Sequence, residues 1–275
     1  MPVKKDASGR RSVQAEAEVP GTPEEVWRAI ASGPGVSAWF VPTTIEERMG
    51  GAVTSNFGPG MDAVATVTEW DPPRRFAAES RDDMGPNSPV VATEWTVEAR
   101  GGGTCVVRVV HSWFASTDDW DNQFEGHEHG WAAFFRILRL YLLHFRGQAS
   151  AAFQVMGFTP GAAPTAWDAL VSALHLRPAA AGERVESAGG APTLGGVVER
   201  VGAAEHPELL LRVEEPGPGI AHLFAMPMGG QVCLSVRIFI YGDGAAAVVQ
   251  REEPSWQAWM QRRFPSDIAA VSQES

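Results

Sequence analysis

Residues 103–114 read GTCVVRVVHSWF and residues 130–145 read GWAAFFRILRLYLLHF. In the first stretch Arg108 and Ser112 suit solvent, which puts Cys105, Val107, Val109, His111 and Trp113 on the opposite face of a half-buried strand. In the second, Trp131, Phe134, Phe135, Leu138, Leu142 and Phe145 recur at helical spacing and form one wide apolar face. A strand that buries one face, followed by a long helix with a broad apolar stripe, predicts an α+β domain in which the helix covers a sheet.

Working back toward the N-terminus, residues 1–11 are polar and read as a loose, solvated tail with a small basic head of Lys4, Lys5, Arg10 and Arg11. From Ser12, Val13, Ala15, Ala17 and Val19 alternate with polar residues as in a strand that ends at Pro20-Gly21. Thr22 is placed to cap a helix with Pro23 in its first turn and Glu24 and Glu25 at its positive end. Gly33-Pro34-Gly35 stops that helix, and a short helical piece carries Val36, Trp39 and Phe40. Strands then read near 44–47, 51–57, 62–70, 74–80, 90–98 and 103–114. The breaks at Gly50-Gly51, Gly58-Pro59-Gly60, Asp71-Pro72-Pro73, Gly85-Pro86-Asn87 and Gly101-Gly102-Gly103 predict an antiparallel meander.

The second half partly repeats the first. Gly157 to Pro164 reads as a linker, and Pro164-Thr-Ala-Trp167-Asp-Ala-Leu170 echoes Pro23-Glu-Glu-Val-Trp27-Arg-Ala-Ile30. Strands are expected near 194–201, 208–214, 219–226, 231–241 and 245–250, with a hairpin at Gly242-Asp243-Gly244. A last helix starting near Glu252 carries Trp256, Trp259, Met260 and Phe264, and an opening strand is missing. Two domains are expected, 12–150 and 160–266.

Strand, two helices, six strands and one long helix is an uncommon order. Pro23-Glu-Glu-Val-Trp27, Trp39-Phe40, Arg48-Met-Gly-Gly51, Val67-Thr-Glu-Trp-Asp-Pro-Pro-Arg74, Gly103-Thr-Cys-Val-Val-Arg108, His111-Ser-Trp-Phe114 and Gly130-Trp131 resemble the START-like (SRPBCC) superfamily, closest to the family named after the activator of the Hsp90 ATPase. The resemblance spans roughly residues 12–148, with residues 160–266 similar to a shorter, degenerate second copy. It implies a helix-grip fold, a bent antiparallel sheet wrapped around a long C-terminal helix, twice in tandem. It further implies a cavity between sheet and helix. Members bind lipids, hormones or polyketides, some catalyse cyclisation and some assist a chaperone, so the fold alone does not settle the chemistry.

The formal net charge of -11 repels phosphate backbones and anionic lipid, which argues against nucleic acid or a membrane as partner. No signal-peptide core and no run of ~20 apolar residues is present, and the two cysteines, Cys105 and Cys233, sit in apolar runs; the expected location is the cytoplasm. No cofactor is expected.

His111, predicted to face the grip, is the best single candidate for chemistry, as a general base or as a hydrogen-bonding partner for a ligand carbonyl. The competing reading is a histidine satisfied by its neighbours. Glu94 should face solvent and Glu69 can face either way; a carboxylate held in an apolar cavity would act as an acid. The run Asp118, Asp119, Asp121, Glu125, His127, Glu128, His129 has no two histidines at i,i+4, so no metal is expected there. Gly101-Gly102-Gly103 joins two strands and offers no helix N-terminus to a phosphate. Tryptophan is abundant, with 10 residues against 2 tyrosines, and indoles serve cores and pockets alike. Trp39, Trp95, Trp113 and Trp131, with His111, Phe135 and Leu138, are the expected cavity walls.

These features favour a binding module for a small apolar molecule. The rivals are an enzyme of polyketide-cyclase type with His111 as base, and a chaperone partner that uses its surface and holds no ligand.

Overall fold

The structure is a computed structural model that describes residues 3–6, 9–58, 62–81, 89–114, 127–176 and 180–265. The chain divides into two units, Met1–Gly147 and Gln148–Ser275. The expected breaks at 58–60 and 85–87 fall wholly or partly outside the described residues, as do the expected helix start at 117–119 and most of the acidic and histidine run that follows it.

In the first unit, β1 (Lys4–Lys5) and β2 (Arg10–Pro20) lead into α1 (Pro23–Ala31) and α2 (Gly33–Ser37). Then come β3 (Thr43–Ile45), β4 (Ala52–Asn56), β5 (Asp62–Asp71), β6 (Arg75–Ser80), β7 (Val91–Arg100), β8 (Thr104–Phe114) and α3 (His127–His144). The sheet order is β1-β2-β8-β7-β6-β5-β4-β3, so the opening strand closes against the last strand before the long helix. Thr22 caps α1 through a reciprocal box with Glu25. The Gly-Pro-Gly triplet stops α1, as expected, and also opens α2, because the Ser32 side chain accepts from Gly35 N and caps it. α3 lies along β2, and α1 meets β7 and β8.

The N-terminal segment departs from a loose tail. Arg10 and Arg11 are strand residues paired with Phe114 and Trp113, and Arg11 is only 6% exposed. Ser112, expected in solvent, is also buried and accepts a hydrogen bond from Arg10 Nη2 at 2.8 Å. The ladder to β8 thus extends past the apolar alternation that the sequence displays.

The second unit opens with β9 (Ser150–Thr159), followed by α4 (Ala163–Leu174). It continues through β10 (Arg184–Glu186), β11 (Gly195–Val201), β12 (Glu208–Glu215), β13 (Gly219–Met228), β14 (Gln231–Tyr241) and α5 (Ala245–Arg263). Its sheet order, β10-β11-β12-β13-β14-β9, again pairs the opening strand with the closing one. The two units are tandem copies of one helix-grip plan, and Trp27 and Trp167 sit in the equivalent first helices α1 and α4.

Two expectations fail here. An opening strand is present: β9 takes in Gly157–Thr159 of the expected linker, so the second unit starts ahead of residue 160. Its signal is muted because Phe153, Val155 and Gly157 alternate with Gln154 and Met156, and glycine carries no apolar mark. The expected strand 245–250 is the first part of α5, and Gly242 (φ 99°) ends β14 rather than turning a hairpin. Three consecutive alanines favour helix, and Val248 and Val249 then pack onto the second core. The helix thus begins at Ala245, ahead of the expected start near Glu252, and runs through Pro254.

Candidate functional site

The concave face of the first sheet is built in rows of paired residues. One row runs Val67, Ala78, Thr93, His111, Val13; the next runs Trp70, Phe76, Trp95, Val109, Ala15. A bulge at Thr68 lets Val67 and Trp70 both face inward. Glu69 is thereby turned outward, where it and Glu94 share Arg75 Nη2 at 3.1 and 2.6 Å. Neither carboxylate enters the grip.

On the other side of the Val67–Val13 row, the wall is made of small residues. Ala65 pairs with Ser80 and with Val53, and Ser55 pairs with Thr43 and Ala63. Short side chains on this stretch leave the sheet face unfilled, while aromatic rings stand around it. The result is a cavity of about 170 Å³ lined by Trp39, Phe40, Phe76, Trp95 and Trp131, by Ala63, Ala65 and Ala78, and by the hydroxyls of Thr43, Ser55, Ser80 and Thr93 beside His111. Phe57, 45% exposed, packs edge-on to Phe40 at 5.8 Å and also lines the cavity, so its rim is apolar.

The rings support one another. Trp131 lies parallel to Phe40 (5.4 Å, 9°) and meets His111 through its Nε1 edge, with ring centroids 5.5 Å apart and planes inclined by 30°. Trp95 meets Trp39 and Trp131 edge-on at 6.2 and 5.2 Å and stacks on Phe76 at 6.3 Å. Such pairs are worth about 0.5–1.5 kcal/mol each beyond burial, which holds the walls apart around the space. Trp39 is anchored because its Nε1 donates to Ala29 O at 2.9 Å.

His111 is held at both nitrogens. Trp131 Nε1 donates to His111 Nε2 at 2.8 Å, and His111 Nδ1 lies 2.8 Å from Thr93 Oγ1. An indole nitrogen can only donate, so Nε2 is an acceptor and the ring is neutral with its proton on Nδ1, donated to Thr93. A base needs a lone pair facing the substrate, and here that lone pair is occupied by the indole.

Of the residues expected to wall the cavity, Trp39, Trp95, His111 and Trp131 line it; Trp113, Phe135 and Leu138 do not. Trp113 shares a row with Ser80, but its indole is spent in a separate cluster with Val13 and Val91. Phe135 lies one helical turn beyond Trp131 and packs against Trp95 and Trp131 at 6.2 and 5.8 Å, backing the wall instead of forming it. Leu138, fully buried, is nearly another turn further on. The sequence reading missed Phe40, Phe76 and the alanines and serines; the available signal was small residues at inward strand positions among large ones.

Other chemistry is sparse. Among the described residues the lining holds no Asp, Glu, Lys, Arg or Cys. Cys105 Sγ donates to Gly21 O at 3.3 Å, and burial raises its pKa; burial pushes Cys233 up to about 11. Both are poor nucleophiles in that state. Among the described residues no group of three or more His, Cys, Asp or Glu could hold a metal, and no helix is long and apolar enough to cross a membrane.

Residues 20–142 match the model of the family described as Activator of Hsp90 ATPase homolog 1-like protein. Among solved structures, the di-domain ARO/CYC BexL from the BE-7585A biosynthetic pathway is 14% identical, with a TM-score of 0.43, and covers 93% of this chain and 99% of its own. DynU16, a putative protein in the dynemicin biosynthetic locus, is 19% identical, with a TM-score of 0.41, over 90% of this chain and 95% of its own. CalU16 from Micromonospora echinospora is 17% identical, with a TM-score of 0.41, over 51% of this chain and 82% of its own. No curated protein matches the sequence.

Proposed function

We propose that the first unit, an Activator of Hsp90 ATPase homolog 1-like domain by its match over residues 20–142, is a binding module for a small, neutral, apolar molecule. The observation that carries this reading is the aromatic-walled cavity of about 170 Å³ with no charged side chain among the described residues of its lining. Its size is close to the ~150 Å³ of a cavity that takes up benzene and below the roughly 300–1,000 Å³ of pockets for drug-sized ligands. A one- or two-ring molecule fits that scale better than an extended polyketide. Trp39, Trp95, His111 and Trp131 contact the ligand.

The cyclase reading is disfavoured by the state of His111, whose Nε2 lone pair is engaged by Trp131. Two buried free thiols fit a reducing, cytoplasmic setting. The test is native mass spectrometry of the purified chain, followed by dye displacement with single-ring aromatics. Retention of a small molecule, or displacement at micromolar to low millimolar ligand, is the expected result. A clean apo spectrum with no displacement by any such compound overturns the reading and leaves the surface-acting chaperone partner.

A further inference from the structure

Resting on that reading, we propose that the ligand carries a hydrogen-bond acceptor, a carbonyl or ether oxygen on a small aromatic ring, and that Thr93 is the donor that selects it. Trp131 Nε1 donates to His111 Nε2, which forces the His111 proton onto Nδ1, and Nδ1 donates to Thr93 Oγ1. The hydroxyl oxygen of Thr93 therefore accepts, and its own hydrogen must point elsewhere. No other hydrogen bond of the Thr93 side chain exists among the described residues, and Thr93 lines the cavity.

The second hydroxyl pair in the lining behaves differently. Thr43 Oγ1 donates to Val41 O at 2.9 Å, so across the 3.1 Å contact Ser55 must donate to Thr43. That chain runs out of the cavity and ends on a backbone carbonyl. The chain through Trp131, His111 and Thr93 runs the other way and ends on a hydrogen offered to the cavity. Successive bonds polarise each other, so this last donor is stronger than an isolated hydroxyl. An apolar ligand without an acceptor would bury it unsatisfied, whereas an aromatic ketone or ether would satisfy it while filling the aromatic walls. His111 and Trp131 are positioning residues here; Thr93 touches the ligand.

The test compares acetophenone with its planar isostere α-methylstyrene, in which a methylene replaces the carbonyl oxygen, on the full chain by calorimetry or dye displacement. In Thr93→Val the affinity ratio of ketone to alkene should fall by roughly 2- to 10-fold, through weaker ketone binding together with tighter alkene binding now that no unsatisfied hydroxyl is buried beneath it, and Thr93→Ser should keep the wild-type ratio. The carbonyl stretch of acetophenone bound to the unmodified protein should lie below its value in hydrocarbon solvent, a readout that needs no variant. An unshifted stretch, or a ratio that Thr93→Val leaves unchanged, overturns the assignment of Thr93 while the binding cavity stands. Failure of both probes to bind the unmodified protein overturns the cavity reading, and this inference with it.

Discussion

The indole N–H of Trp131 donates to Nε2 of His111 across 2.8 Å, tying the start of the long helix to β8, the sheet neighbour of the strand it lies along. One residue lies on α3 and the other on β8, so this bond fixes the wall of the cavity and the protonation of its imidazole together.

Loss of that link should be felt as stability. His111→Leu strands the indole donor and leaves Thr93 without its partner, costing about 1–3 kcal/mol. His111→Gln keeps an acceptor for Trp131 and a donor for Thr93 and should cost clearly less. Urea midpoints at unchanged m-value give the comparison; equal losses for the two variants would mean that ring volume, not the bonds, is what matters.

Filling the cavity should separate binding from folding. Ala78 is inward, buried and in the lining, so Ala78→Leu places apolar atoms in the empty space. Cavity filling of this kind adds about 0.5–2 kcal/mol when the shape permits. The expected outcome is a melting temperature equal or higher than that of the unmodified protein, with displacement by single-ring aromatics abolished.

The second unit has its own tight point. A Cβ at Gly157 would stand 2.6 Å from Phe264 Cβ and 2.9 Å from Met260 Sδ, because the end of α5 lies directly on β9. Gly157→Ala should destabilise by about 1–3 kcal/mol through overpacking. Differential scanning calorimetry reads the shift, and Gly157→Ala combined with Met260→Ala, which clears the sulfur contact and leaves those with Phe264 Cβ and O, should recover part of it relative to Met260→Ala alone.

Alkali should weaken the fold through Cys233. Its thiol is pushed up to about 11 by burial, so the folded state keeps the proton when the unfolded chain has lost it. The contribution is intact below the ordinary thiol range near 9 and is lost as pH rises through 11. Stability measured from pH 8 to 11 should fall more steeply for the unmodified protein than for Cys233→Val. Matching slopes would show that other groups govern alkaline unfolding.

Much of the architecture is legible in local pattern. The alternation of 103–114 and the helical spacing of 131–145 make sheet and covering helix mutually necessary, and glycine and proline mark most of the described strand ends. Where pattern was weak, reading failed for identifiable reasons. β9 alternates Phe153, Val155 and the unmarked Gly157 with Gln154 and Met156, and residues 245–250 carry valines that suit strand or helix equally. In each case the choice was made by what the segment packs against.

The sequence by itself determined much of what faces inward, because periodicity is a local property: strand parity turned Trp95 and His111 toward the grip, and helical spacing put Trp131 on the apolar face of the long helix. Tertiary structure alone decided which of the inward residues surround empty space. That depends on sums across neighbouring strands, where Ala63 and Ala65 of β5 fall beside Ala78 and Ser80 of β6, and Trp113 and Phe135 fall where space is already filled. It also decided that the imidazole is spoken for: Trp131 lies 20 positions from His111 along the chain, and only the helix folded back on the sheet brings donor and lone pair together.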